Sequence, residues 1–153
     1  MRFSLALPLI TSLAAATPAW ADAYSWQLRQ SPDSVVLAYE VPDTDDQPLG
    51  LFCEPDGKAF SITYRPGADK IRKGWSGVVS FSSDGGQVDV PMRAVEDELS
   101  GLTLEAKAAF DPDWTVVLGK GRTLKIAFSG QSERIKLAGV AKGAAALARA
   151  CGP

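Results

Sequence analysis

Apolar and polar residues alternate with a period of two along most of the chain from Tyr24 onwards. Alternation of this kind places the apolar side chains on one face of a β-strand. Turn residues such as Pro55-Asp56-Gly57 and Asp84-Gly85-Gly86 separate consecutive segments, which predicts antiparallel hairpins. The alternating segments are Tyr24–Gln30, Val35–Val41, Leu49–Cys53, Phe60–Tyr64, Val79–Phe81, Val88–Met92, Leu102–Phe110, Leu124–Phe128 and Ile135–Leu137.

The period becomes helical at the C-terminal end of the chain. Gly139 and Gly143 each weaken such a helix by about 1 kcal/mol relative to alanine, so the helix depends on docking its apolar face. Asp111-Pro112 followed by Gly119 predicts a second, short helix, although the β-branched run Thr115-Val116-Val117 argues against it. The apolar side of the C-terminal helix consists of Leu137, Val140, Ala141, Ala144, Leu147, Ala148 and Cys151, opposite Lys142 and Arg149.

These elements predict a mainly β protein with one C-terminal α-helix. We expect roughly seven to nine strands, arranged as an antiparallel sandwich or as a small, strongly curled barrel. No internal repeat and no low-complexity linker divides the sequence. The pattern therefore predicts a single β-rich domain over positions 22–153.

The first 21 positions have the three parts of a secretory signal peptide. Arg2 is the basic start, an apolar run extends from Phe3 to Ala16, and Ala19-Trp20-Ala21 fits signal peptidase. Pro8 and Pro18 interrupt this region, which is too short for a membrane span of roughly 20 apolar residues. We therefore predict cleavage after position 21, no transmembrane segment in the mature chain, and a periplasmic or secreted location.

Cys53 and Cys151 are the two cysteines of the chain. Two cysteines in an exported protein indicate one disulfide, because the compartment is oxidising. Cys53 shares the apolar face of its predicted strand with Leu49 and Leu51, and Cys151 lies in the predicted helix. A bond between them would hold that helix against the sheet. Two buried thiols are the alternative.

The sequence contains no histidine. This excludes catalytic arrangements built on Ser-His-Asp or Cys-His and removes a common zinc ligand. The formal net charge is −2, so neither nucleic acid nor an anionic membrane surface is an expected partner. No phosphate-binding loop is present, since Gly119-Lys120-Gly121 lacks the required spacing. We expect no cofactor and no metal.

Acidic residues leave two alternatives open. Asp43, Asp45 and Asp46 have the alternating oxygen ligands of a calcium loop, but the glycine and the distal glutamate of an EF-hand are missing. Paired carboxylates can hydrolyse glycosides without histidine, although no spacing here fixes two acids across a cleft, so we assign no catalytic residue. The acids available for such a reaction are Glu54, Asp56, Glu96, Asp97 and Glu98.

The main candidate for ligand binding is a basic loop that follows Tyr64. It consists of Arg65, Lys70, Arg72 and Lys73, with Trp75 directly after it. Cations beside aromatic side chains at the rim of a loop are typical of surfaces that bind carbohydrates, acidic ligands or proteins. The alternative is a solvated hairpin loop with Trp75 packed in the core.

The closing part of the chain resembles a known family. The run Leu124 to Phe128, the segment Ile135-Lys136-Leu137-Ala138-Gly139 and the alanine-rich helix are similar to the end of small exported proteobacterial proteins of the invasion-associated locus B type. In that family a strand pair that ends in a glycine is likewise followed by a terminal helix. The resemblance implies a fold and does not imply an activity.

A second segment, Phe52 to Lys58 leading into Phe60 to Tyr64, is similar to the opening of periplasmic inhibitors of C-type lysozyme. Those inhibitors present a cysteine, a turn and a strand in this order, and they carry a Ser-Gly-x-x-Tyr element for the cleft of the enzyme. That element is missing from this sequence. The resemblance therefore assigns no site residues.

Together these observations predict an exported, non-enzymatic domain that binds an envelope protein or another envelope component. The alternatives are a histidine-free carboxylate hydrolase acting on envelope glycan and a protein similar to the lysozyme inhibitors.

Overall fold

The computed structural model describes residues 23–54, 59–67, 70–98 and 101–153. The predicted signal peptide and the predicted turn Pro55-Asp56-Gly57 lie outside these residues. The strands are β1 (Ser25–Ser31), β2 (Ser34–Glu40), β3 (Leu49–Glu54), β4 (Ala59–Tyr64), β5 (Ser76–Ser83), β6 (Gly86–Asp97), β7 (Gly101–Ala108), β8 (Thr123–Phe128) and β9 (Gln131–Lys136). The helices are α1 (Asp113–Gly119) and α2 (Ala141–Cys151), and in the described part of the chain neither is long and apolar enough to cross a membrane.

One antiparallel sheet contains all nine strands, in the order β1-β2-β3-β4-β7-β6-β5-β8-β9. The sheet curls until it nearly closes into a barrel. The indole Nε1 of Trp26 in β1 donates a 2.7 Å hydrogen bond to the carbonyl oxygen of Lys136 in β9. The predicted mainly β fold is confirmed, and of the two predicted architectures it is the barrel that forms.

The number of strands explains why the barrel stays incomplete. Neighbouring strands alternate in direction, so the first and the last of nine strands run the same way. Full closure would need a parallel ladder between β1 and β9, and parallel pairing is slightly less stable per residue. The described strands contain no such ladder. We call the gap between these two edge strands the β1–β9 seam.

The strand register stacks the inward-facing side chains in layers. The layer nearest one end of the barrel, which we call the mouth, consists of Tyr39, Leu49, Tyr64 and Leu104. The layer nearest the opposite end consists of Val35, Cys53, Phe60 and Ala108. Most of these side chains are fully buried, so the core runs through the barrel from end to end.

Both helices pack at the end opposite the mouth. α2 contacts β1, β2 and β3, and the predicted disulfide joins its last residue, Cys151, to Cys53 in β3 with an S–S distance of 2.04 Å. α1 contacts β5 and β6, and the ring of Trp114 lies 5.0 Å from that of Phe81. The Asp111 carboxylate accepts a 2.9 Å hydrogen bond from the first amide of α1, which stabilises the predicted short helix.

α2 begins at Ala141, later than the apolar pattern predicts. Gly139 has φ of 85°, a left-handed conformation that interrupts a right-handed helix and favours glycine. Gly143 has a different role from the weakening that its helix propensity predicts. A Cβ atom at this position would lie 2.2 Å from Cδ1 of Leu37, so the glycine lets α2 approach β2 closely.

β6 is longer than the sequence predicts. Its first part pairs with β5 and its last part pairs with β7. The predicted segment ends at Met92, whereas the strand continues through Glu96 and Asp97, which pair with Leu102 and Gly101 of β7. The pairing with β7 extends from Asp97 back to Arg93 and does not reach Pro91. The backbone amides of alternate β6 residues point towards β7, and Pro91 occupies one of these positions. Proline has no amide hydrogen to donate, so the ladder ends there.

Candidate binding site at the mouth of the barrel

The cations of the basic loop do not form one patch. Three of them are paired with carboxylates from three different parts of the chain. Arg72 is exposed and makes no ion pair within the residues that the structure describes. The three pairs are Arg65 with Asp46, Lys70 with Glu133, and Lys73 with Glu96.

Trp75 is half-buried and belongs to the rim of the core. Its ring packs edge-on against Phe128, with ring centroids 5.9 Å apart, and its Nε1 donates a 2.8 Å hydrogen bond to Oγ of Ser129. The packing agrees with the interpretation that places Trp75 in the core. Of the residues in the predicted ligand-binding loop, Arg65 and Lys70 are therefore the ones whose positions contribute to a candidate site.

Glu133 is the centre of a hydrogen-bond network at the mouth. It pairs with the buried Ile126 across the β8–β9 ladder, so its side chain faces inward. Its carboxylate accepts hydrogen bonds from the Tyr64 hydroxyl at 2.8 Å and the Gly67 amide at 3.2 Å, and also from the Lys70 ammonium. The network ties β4 and the basic loop to β9.

The electrostatics of this network fix its protonation state. Burial alone would raise the pKa of Glu133, but the hydrogen bonds from Lys70, Tyr64 and Gly67 outweigh it and hold the pKa below its usual value. Burial and the hydrogen bond to Glu133 both raise the pKa of Tyr64. At neutral pH the carboxylate is therefore ionised and the phenol is a proton donor.

Asp46 is the centre of a second network on the other side of the mouth. Its Oδ1 lies 2.6 Å from Nη2 of Arg65, and its Oδ2 accepts a hydrogen bond from the Tyr24 hydroxyl. The Tyr24 ring stacks on Tyr39 with a centroid distance of 5.6 Å and an interplanar angle of 17°. Both oxygens of Asp46 are thus occupied by neighbouring side chains.

A cleft of about 820 Å³ lies between the two networks, where the β1–β9 seam meets the mouth. We call it the mouth cleft. Residues of β9 form one wall, and the stacked tyrosines that flank β1 and end β2 form another. Its lining consists of Tyr24, Tyr39, Asp46, Pro48, Arg65, Pro66, Gly67, Ile71, Gly101, Leu102, Glu133, Arg134 and Ile135.

The charges of the mouth cleft are unevenly compensated. Asp46 is balanced by Arg65, and Glu133 is balanced by Lys70. Arg134 is exposed, and no ion pair to it exists among the described residues. Arg134 therefore supplies the uncompensated positive charge of the cleft, beside the apolar surfaces of Ile135 and Tyr24.

The mouth cleft does contain two carboxylates, as a glycosidase site would. A general acid for such a reaction needs a raised pKa, so that it is protonated at the working pH. The pKa of Glu133 is lowered instead. Both oxygens of Asp46 already accept hydrogen bonds. The arrangement is that of structural ion pairs.

A second cavity, of about 1,040 Å³, lies beneath the loop at positions 41–48 and is also lined by residues of β1, β2, β3, β4 and β7. Asp43 and Asp45 of the predicted calcium alternative line it, whereas Asp46 turns towards the mouth cleft. Thr44 orders this loop by donating to the Val41 carbonyl at 2.8 Å. Among the described residues, no group of three or more acidic, cysteine or histidine side chains is gathered for a metal ion.

Sequence reasoning missed most of the residues that define the mouth cleft. Tyr24 and Asp46 are separated by 22 positions, and Tyr64 and Glu133 by 69, so no local pattern connects them. One signal was present in β9. Its inward-facing positions are Gln131, Glu133 and Ile135, so two polar residues occupy positions where the alternating pattern would place apolar ones.

Comparison with known proteins gives little further information. No protein-family model matches the sequence, and no curated protein sequence matches it significantly. The fold is similar to the crystal structure of invasion associated protein B from Bartonella henselae, with 16% sequence identity and a TM-score of 0.46. The alignment covers 84% of this chain and 94% of that protein. This structural likeness is weak and indicates no function.

Proposed function

We propose that this protein is an exported, non-enzymatic binding domain that engages an envelope protein or another envelope component through the mouth cleft. The observation that supports the proposal best is the cleft itself. Its walls are held by two ion-pair networks, centred on Glu133 and Asp46, and its floor and rim combine aromatic, apolar and cationic surface. Pockets that bind ligands commonly have this composition.

The ion pairs and hydrogen bonds that fix the walls of the mouth cleft favour an open binding site over a collapsed one. Ordering a side chain at an interface costs about 0.5 to 1.5 kcal/mol, and a preorganised site avoids that cost when the ligand arrives. Tyr64, Lys70 and Arg65 are already fixed by their carboxylate partners. A ligand would therefore meet a cleft whose shape is set in advance.

Neither carboxylate of the mouth cleft, Glu133 or Asp46, is placed as a catalytic acid, and this favours a binding role over hydrolysis. A carboxylate hydrolase needs one protonated and one ionised acid facing its substrate. Glu133 is ionised and Asp46 is bound by Arg65 and Tyr24. The disulfide between Cys53 and Cys151 supports export, because such bonds persist in oxidising compartments.

Site-specific photocrosslinking in intact cells tests the proposal. A photoreactive phenylalanine analogue replaces Tyr24, which is 38% exposed in the cleft, and a matched control carries it at Val78, which is 53% exposed on another part of the surface. We expect a defined adduct with an envelope component from position 24 and none from position 78. Arg134→Glu should reduce the adduct.

Three results would count against the proposal. Equal adducts from both positions, or adducts between copies of this chain alone, would remove the support for a cleft ligand. Release of soluble fragments from purified envelope glycan, abolished by Glu133→Gln, would replace the binding role with the hydrolase.

A further inference from the structure

The backbone of β9 offers an unpaired edge beside the mouth cleft. The amide of Leu137 donates a 3.0 Å hydrogen bond to the carbonyl of Arg122, which extends the β8–β9 register by one pair. Backbone groups in an antiparallel pair point alternately towards the partner strand and away from it. The amides and carbonyls of Ser132 and Arg134 therefore point away from β8, towards the β1–β9 seam.

The hydrogen bond that crosses the seam supports this orientation. The carbonyl of Lys136 also belongs to the outward set, and it accepts the bond from Trp26 of β1. In the described part of the chain, no backbone hydrogen bond from another strand reaches Ser132 or Arg134. The seam is thus bridged near Lys136 and carries unpaired backbone groups further along β9.

The unpaired edge and the mouth cleft are adjacent. Arg134 and Ile135 line the cleft, and the stacked Tyr24 and Tyr39 lie across it. The exposed Arg134 side chain has no carboxylate partner among the described residues, whereas Arg65 in the same cleft is held by Asp46. A strand edge, an apolar wall and a positive charge are therefore presented together.

We infer that the ligand of the mouth cleft is an extended polypeptide segment that adds a strand to the free edge of β9 and places an acidic group near Arg134. This inference rests on the proposed binding function and specifies the chemistry of the ligand. Donors and acceptors that repeat every second residue, about 7 Å apart, match another β-strand. A glycan has no backbone with this spacing. The positive charge selects an acidic side chain or a C-terminal carboxylate.

Edge strands that remain accessible bind other strands unless proline, charge or a covering segment blocks them. β6 uses Pro91 at the point where its pairing with β7 stops, but β9 has no proline from Gln131 to Lys136. Proline therefore does not block the edge of β9, and the charge of Arg134 disfavours basic strands rather than acidic ones.

Selection from a library of random peptides about eight residues long, which is longer than the free edge, provides the probe. The bait is the oxidised chain over positions 22–153, and Arg134→Glu serves as the counter-bait. We expect the selected peptides to contain an acidic group and to lose affinity by about tenfold or more for Arg134→Glu. Hydrogen exchange should show the Ser132 and Arg134 amides protected by the bound peptide.

A proline substitution separates edge pairing from other modes of binding. The Ser132 amide points away from β8, so Ser132→Pro removes a donor to the ligand and leaves the β8–β9 ladder in place. Ser132→Ala keeps the amide and is the matched control. We expect Ser132→Pro to weaken peptide binding by about tenfold, corresponding to the loss of one or two backbone hydrogen bonds, and Ser132→Ala to leave it unchanged.

N-methylation of the peptide keeps the test decisive if Ser132→Pro impairs folding. Methyl groups on alternate amides in one register should abolish binding, whereas methyl groups in the other register should have little effect. Peptide binding that persists with methyl groups in either register overturns the inference. Binding of the carboxyl group alone, or dimerisation of the chain through β9, also overturns it. An envelope adduct from Tyr24 that Ser132→Pro leaves unchanged would reject this inference but retain the proposed function.

Discussion

Replacing Glu133 by glutamine should measure how much the mouth depends on its central carboxylate. The substitution preserves the size of the side chain and one acceptor oxygen, but it removes the charge and introduces an NH₂ group among three donors. Those donors are the Tyr64 hydroxyl, the Gly67 amide and the Lys70 ammonium. At least one of them must lose its acceptor.

The expected loss of stability follows from the burial of these groups. A hydrogen bond to a charged group contributes about 1.5 to 3 kcal/mol, and an unsatisfied buried donor costs a similar amount. Tyr64 is 1% exposed, so water does not readily replace the lost partner of its hydroxyl. Because glutamine can keep part of the network, we expect Glu133→Gln to lower the free energy of unfolding by about 2 to 3 kcal/mol.

The effect should depend on pH in a defined direction. The pKa of Glu133 is lowered in the folded state, so the carboxylate contributes full stabilisation above its unfolded pKa, near 4.5. That contribution is lost as the pH falls through the lower folded pKa and the carboxyl group becomes neutral. The difference between wild type and Glu133→Gln should therefore be constant near pH 7 and shrink below pH 4.5.

Urea unfolding of both chains between neutral and acidic pH measures this difference. Glu96→Gln is the control, because Glu96 also forms an ion pair with the basic loop, but its side chain is 59% exposed. We expect no measurable change from this exposed pair. The reasoning would be refuted if Glu133→Gln cost no more than Glu96→Gln, or if its cost were the same at every pH.

Three further variants test other parts of the fold by the same unfolding assay. Gly143→Ala should destabilise by about 1 to 2 kcal/mol, although alanine is the better helix former, because the new methyl group would overlap Leu37; a stabilised variant would contradict this packing. Replacing Cys53 and Cys151 by alanine opens a loop with a separation of 98 residues and should cost up to about 4.7 kcal/mol; an unchanged midpoint after reduction of the wild type would argue against that contribution. Trp26→Phe removes the hydrogen bond across the β1–β9 seam and should cost about 1 kcal/mol, with faster hydrogen exchange in β1 than in β3; a uniform change would not fit a local seam.

The sequence predicts the strands well where one face of the sheet is buried. The alternation around Leu49 to Cys53 and around Phe60 to Tyr64 matches β3 and β4, because every second side chain enters the core. The full length of β6 was harder to predict from the sequence. Its last residues are acidic, and their strand conformation depends on pairing with β7, which no local pattern encodes.

The site was harder to predict than the fold, for a physical reason. The basic loop was identified by composition, but composition does not show which cations will be neutralised by distant carboxylates. Lys70 and Glu133 are 63 positions apart, and they meet because β4 and β9 reach the same end of the barrel. The binding role of Arg72, Lys73 and Trp75 stays a prediction.

The two ends of the barrel are stabilised by different interactions, and this difference bears on how a cleft can persist. The end opposite the mouth is closed by apolar packing of α1 and α2 and by the disulfide. An equally apolar mouth would lower its free energy by collapsing, since burial of apolar surface is favourable. Ion pairs resist that collapse, because Glu133 and Asp46 hold their partners at fixed positions on opposite walls. If the mouth cleft binds a ligand, Glu133→Gln should therefore weaken binding even under conditions where the chain remains fully folded, whereas Glu96→Gln should not.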